Sequence, residues 1–179
     1  MHSVQKNADT RSVNEPRPAI LWFLPLIAGF VLLDEFIKFF ALHTFPDESQ
    51  VPVSGLFTLA IHKNFGIAFD IPFKMPFIVL ISILIGIALL VVAYKNGLKR
   101  PGITLSALMI VLGAAGNLYD RLVYGFTVDY LIIFGRSAIN ISDVIIVTGV
   151  ILLLITSRRV HQPSETSGQS TKNLTNHSH

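Results

Sequence analysis

No cysteine occurs anywhere in the sequence, which excludes disulfides, thiol nucleophiles and thiolate metal sites together. Carboxylates, His, Ser, Thr and Lys are left to carry any chemistry. Charge is scarce too: Asp, Glu, Lys and Arg make up 14% of the chain against 51% hydrophobic residues, with a mean hydropathy of +0.60. That balance excludes an ordinary soluble domain and points to membrane residence. No fixed-period repeat is visible, so the 179 residues read as one compact bundle. No pair of histidines has metal-ligand spacing, so neither a metal nor a cofactor is expected, and His43 and His62 are read as interfacial. The net charge of +3 comes from short basic groups between apolar runs rather than a basic stripe, so no nucleic-acid partner is expected either.

What the chain does have is four apolar runs, at about 18–33, 76–94, 102–119 and 137–157, the last interrupted only by Asp143. The first continues past Asp34 and Lys38 to about residue 42. At about 1.5 Å of rise per residue, each is long enough to cross or nearly cross a hydrocarbon layer of about 30 Å. The first run follows a polar stretch, contains Pro25 and ends on Asp34-Glu35 rather than on small residues, so it reads as a retained helix and not a cleaved signal. The expected fold is an all-α membrane protein with four transmembrane helices and a small extracytoplasmic loop region containing β structure. Its parts are a polar segment at 1–17, a membrane domain at 18–157 and a polar, disordered tail at 158–179.

Lys and Arg fall on alternate sides of these runs. Lys6, Arg11, Arg17, Lys95, Lys99, Arg100, Arg158, Arg159 and Lys172, nine of the 14, gather on one side, which places both termini in the cytoplasm. Eight of the 11 acidic residues, from Asp34 to Asp143, accompany the remaining basic ones on the other side. The outer loop at about 43–75 is long, and 51–68 is rich in β-branched and aromatic residues, which suggests a small sheet lying on the membrane.

Helix rise singles out one of those acids. Arg100 to Asp120 is 20 residues, about 30 Å, which puts Asp120 at the outer boundary. Arg158 back to Asp143 is 15 residues, roughly 22 Å, which puts Asp143 below it. A carboxylate at that depth faces the bundle interior with a partner, or else belongs to the cap of the last helix, where Ser142 or Asp143 would accept backbone N–H groups. Asp129, in the short connection after the third run, is either an exposed turn residue or that partner. Two carboxyls in a poorly hydrated site share one proton, so that one activates water while the other donates to a carbonyl. The reading from another functional class is a small proton- or cation-coupled transporter whose carboxylates relay the ion.

The supporting residues also admit plain readings. Asp34 and Lys38 have the spacing of an i,i+4 ion pair. Arg121 suits either lipid phosphate or a charged network with Asp120. Asn64, in a Gly-containing loop, suits a turn. Asn140, three residues before Asp143, would share its face on a continuous helix and has an amide to donate.

Four blocks then resemble one family in register. They are Asp34-Glu35-Phe36-Ile37-Lys38, Asn64-Phe65-Gly66-Ile67-Ala68-Phe69, Gly116-Asn117-Leu118-Tyr119-Asp120-Arg121 followed by Thr127-Val128-Asp129-Tyr130, and Asn140-Ile141-Ser142-Asp143. The chain resembles signal peptidase II, the bacterial lipoprotein signal peptidase, over about residues 21–155. The resemblance implies that Asp129 and Asp143 are a catalytic dyad, that Asn64, Gly66, Asn117, Asp120, Arg121 and Asn140 line or support the site, and that Asp34 and Lys38 hold the first helix. It implies a monomeric enzyme in the bacterial cytoplasmic (inner) membrane, surrounded by lipid, that cuts lipid-modified prolipoproteins just before the diacylglyceryl cysteine. Several positions depart from the family's usual residues: Glu35 for Gln, Tyr130 for Phe and Ser142 for Ala, with Phe65, Ile67 and Ile139 also differing.

Overall fold

The computed structural model describes residues 22–50, 55–66 and 74–160. The elements run in the order α1 (Phe23–Thr44), β1 (Phe57–Asn64), α2 (Met75–Asn96), α3 (Pro101–Val123), β2 (Thr127–Ile133), β3 (Ser137–Ile139) and α4 (Ile141–Val160), with a short 3-10 turn at Glu48–Gln50. Proline in the first turn opens both α2 and α3, where a missing N–H costs nothing. Gly97, at φ 48°, closes α2 and returns its N–H to the Ala93 carbonyl, so α3 begins only a few residues later.

Among the described residues, three helices are long and apolar enough to cross a membrane, namely α2, α3 and α4. α1 is as long as α2 but carries Asp34, Glu35 and Lys38 in its middle. α3 is the central helix, bordered by each of the others, and it buries most of its length. It meets α4 through small residues. A Cβ on Gly113 would stand 2.8 Å from the Ser142 carbonyl oxygen, and one on Gly149 would stand 3.1 Å from that of Ser106, so the two backbones touch where no side chain intervenes. Close approach of this kind gives van der Waals attraction where lipid removes the hydrophobic drive between helices. α2 packs on α3 and leaves nearly all its apolar surface outward, as expected of a helix facing lipid.

The sheet is antiparallel with order β1-β2-β3, and the Asp-bearing connection after α3 is therefore its central strand rather than a turn. Hydropathy also set the last span too early: Ser137–Ile139 pairs with β2 as β3, and α4 starts at Ile141. α3 continues beyond residue 119 to Val123, since its polar outer turn faces other protein groups instead of water. Phe134 and Gly135, both at positive φ, make the tight β2–β3 turn. Behind the sheet, Ala41, Ile61, Val128 and Tyr130 form a small core that fixes β1 and β2 to the end of α1. Residues 18–21 of the first expected span, the segments 1–17 and 161–179, and parts of the expected loop sheet (51–54 and 67–68) lie outside the described residues.

Candidate active site

α4 begins on Asn140, the residue that organises the site. Its side-chain oxygen accepts the Asp143 backbone N–H at 2.8 Å, while its own backbone N–H reaches the Asp143 carboxylate at 3.4 Å. This is a capping box, in which the cap and the third helical residue satisfy each other. The sequence expectation placed the cap on Ser142 or Asp143; it lies at Asn140, which precedes the helix instead of sharing a helical face with Asp143. The other two leading N–H groups are met from α1: Ile141 and Ser142 donate to the two oxygens of Asp34 at 3.0 and 3.1 Å. A buried carboxylate facing a helix N-terminus has the favourable sign for the helix dipole.

The remaining face of Asn140 joins the two expected catalytic residues. Its amide nitrogen donates to Asp129 Oδ1 at 2.7 Å and to Asn117 Oδ1 at 3.2 Å, and the Asn117 amide donates in turn to Asp143 Oδ1 at 2.7 Å. From the other side Asn64 donates to Asp129 Oδ2 at 3.1 Å. Asn64 Oδ1 also accepts the N–H of Gly66, so the turn role and the site role expected as alternatives coexist. Asp129 is fully buried on β2. Burial, with the Asp143 charge adding to it, pushes its carboxyl up to about 7, although the Asn64 hydrogen bond and the charges of His62 and Lys38 pull the other way.

Asp34 and Lys38 do more than the expected local pair. The Lys38 ammonium, itself buried, lies 3.1 Å from Asp34, 2.8 Å from Asp120, 3.2 Å from Glu35 and 3.2 Å from Asn117 Oδ1. Asp120 accepts the backbone N–H of Val128 at 3.1 Å, which fixes β2 next to Asp129. Arg121 donates to the Gly66 carbonyl at 3.4 Å, so it closes over the site and touches the Asn64 turn rather than pointing outward. Tyr130 was not expected to contribute, and Ser142 was expected only as a cap of the last helix. Both hydroxyls donate to Asp34, at 2.8 and 2.6 Å, and burial together with Asp34 raises the Tyr130 phenol above its ordinary range. Three departures from the family pattern, Glu35, Tyr130 and Ser142, thus meet at one charged cluster.

A cavity of about 360 Å³ opens beside the carboxyls, with walls from α2, α3, α4 and β3. Its lining alternates small groups, such as Ser82, Ala114 and Ala138, with the polar side chains of Asn64, Asn117, Arg121 and Asp143. Among the described residues no group of His, Asp and Glu is arranged to hold a metal ion. The cavity can therefore bind a small chain against hydrogen-bond donors and present the Asp143 carboxyl to it, while the buried Asp129 is tied to the lining through Asn64.

The family profile for signal peptidase (SPase) II matches residues 26–159. The lipoprotein signal peptidase of Syntrophomonas wolfei is 36% identical over 126 residues, spanning 70% of this chain and 85% of that one. That of Chlorobium phaeovibrioides is 33% identical over 162 residues, spanning 82% and 96%. Among solved structures, a bacterial membrane enzyme determined by the in meso method at 1.9 Å is 28% identical, with a TM-score of 0.65 over 76% of this chain and 93% of that one. Helical scaffold and matches together define a membrane peptidase of the aspartic class. The chain belongs to the signal peptidase II family.

Proposed function

We propose that Asp129 and Asp143 are the catalytic pair of an endopeptidase that removes the signal peptide of a lipid-modified prolipoprotein, cutting just before the lipidated cysteine. The observation that carries this reading is Asn140: one residue holds Asp129 with its amide and Asp143 with its backbone N–H, so two carboxyls from different elements share one partner at the wall of a cavity that Asp143 lines. With one proton between them, the ionised member takes a proton from water as its oxygen attacks the scissile carbonyl. The protonated member gives its proton to the carbonyl oxygen, and the tetrahedral product then breaks its C–N bond as the amine is protonated. Asn64, Asn117 and Asn140 fix the carboxyls in place, and Arg121 supplies positive charge at the mouth.

α1 completes a bundle of four spans. Its charged residues Asp34, Glu35 and Lys38 face protein, where Lys38 pairs with both acids and with Asp120 of α3, while Phe30, Leu32 and Phe36 face outward. The distribution of Lys and Arg supports cytoplasmic termini, and so an active site towards the extracytoplasmic side. One copy of the chain holds both aspartates, which supports a monomeric enzyme. The transporter alternative gains nothing, because α2 and α3 up to Tyr119 carry no charge between Met75 and Tyr94 or between Pro101 and Tyr119, and an ion relay has no next station there. In a cleavage assay with lipidated prolipoprotein, Asp129→Asn and Asp143→Asn should each abolish cutting while the protein remains folded. Full activity of either variant would refute the pair.

A further inference from the structure

Asp129 has a third neighbour that the dyad reading leaves without a task. In the β1–β2 register His62 stands directly opposite Asp129, two pairs along from Asn64 opposite Thr127. Directly opposed residues of an antiparallel pair project from the same face, with Cβ atoms about 5 Å apart. The Asn64 to Asp129 hydrogen bond shows that this face is the one turned to the site. His62 is also braced. Its Nδ1 lies 2.8 Å from Glu48 Oε1, and the segment that carries Glu48 is strapped along β1 by Ile61 N–H to the Pro46 carbonyl at 2.9 Å and by Lys63 to Asp47 at 3.1 Å. An irregularity in β1 between Leu59 and His62 sets the register that brings the ring opposite Asp129.

We propose that His62, braced by Glu48, is a positioning residue for the peptidase reaction: its imidazolium favours the ionised form of Asp129 and so sets the acid edge of the working pH range. This rests on Asp129 and Asp143 being the catalytic pair. The groups that face Asp129 divide by sign. Asp143 from α4 opposes its ionisation, whereas His62 from β1 and Lys38 from α1 favour it, Arg121 from α3 adds a further positive charge, and Asn64 and Asn140 donate neutral hydrogen bonds. Lys38 is committed to the carboxylates of Asp34, Asp120 and Glu35, which leaves His62 as the basic side chain that β1 sets opposite Asp129. Glu48 Oε1, 2.8 Å from His62 Nδ1, fixes the orientation of the ring.

The sign follows directly. A positive neighbour lowers the pH at which a carboxyl gives up its proton, so removing it moves the change from doubly to singly protonated pair to higher pH. For unit charges ~6 Å apart in a half-hydrated setting, the displacement is about half a unit to one unit. The test is kcat/KM against pH for the full chain in detergent with lipidated prolipoprotein. His62→Gln should move the acid limb up by that amount, and His62→Lys, which keeps the charge, should return it to the wild-type position or below. If His62→Gln does not fold, His62→Thr takes its place as the neutral variant. Coincident acid limbs for wild type and neutral variant, or a lysine variant that follows the neutral one, overturn the role of His62. Asp129→Asn, run alongside, separates the two readings: activity in that protein overturns the dyad itself.

Discussion

Replacing Lys38 by Met tests whether the charged cluster acts as one unit. The substitution keeps the length of the stem and removes an ammonium that is shared by Asp34, Asp120 and Glu35 and is itself buried. Breaking a buried pair this way costs about 3–5 kcal/mol, because the remaining charge is left uncompensated. At 2–4 °C per kcal/mol for a chain of this size, the melting temperature in detergent should fall by roughly 10 °C. The loss is not shared equally. Asp34 would keep four donors, from Tyr130, Ile141 and Ser142, whose hydroxyl and backbone N–H both reach it. Asp120 would keep only the Val128 N–H, on one oxygen, while the other has no partner among the described residues. Adding Asp120→Asn to Lys38→Met should therefore recover about 2 kcal/mol, whereas adding Asp34→Asn should lower stability further by disturbing the start of α4. A Lys38→Met protein that melts within 2 °C of wild type, a margin of about 1 kcal/mol, or an Asp34→Asn partner that rescues better than Asp120→Asn, would refute this partition.

Two further outcomes follow from the site. Burial and the Asp143 charge push Asp129 up to about 7, so the pair, whichever carboxyl holds the shared proton, gives it up as pH rises past that value, and kcat/KM should decline between about pH 7 and 9; a profile flat to pH 9 would contradict this. Asn140→Ala removes a helix cap worth about 1 kcal/mol together with the amide that ties Asp129 to Asn117, so kcat should fall about 100-fold or more, whereas Asn64→Ala, which leaves Asp129 its Asn140 donor, should cost nearer 10-fold. Equal losses in a side-by-side assay would argue against Asn140 as the joining residue.

Hydropathy located α2 and α3 to within a few residues because a helix long enough to cross a membrane is marked by apolar length alone, whether it faces lipid or its neighbours. It failed at 137–139, since a short apolar run is the same to a hydropathy window whether it pairs as a strand or begins a helix. Alternation through Thr127–Ile133, a β-branched and aromatic stretch ending at a glycine turn, was the available signal for β2. Helix rise singled out Asp143, yet nothing local joined it to Asp129. That joining depends on Asn117 and Asn140, whose amides work across 26 and 11 residues of chain. Asp34 was legible only as half of an i,i+4 pair, because its contacts with Ile141 and Ser142 cross more than 100 residues and leave no trace in spacing.

Those contacts bear on how the protein comes to exist. Synthesis delivers α1 first and α4 last, so Asp34 leaves the ribosome more than 100 residues before the helix end it will bind. Until α3 brings Asp120 and α4 brings its N–H groups, α1 holds its acids and Lys38 with one another as their only nearby partners. The last helix to arrive carries Asn140 and Asp143, the residues that bring the two carboxyls together. On the proposed pairing of Asp129 with Asp143, a nascent chain that lacks α4 contains one carboxyl without the other and should not cut.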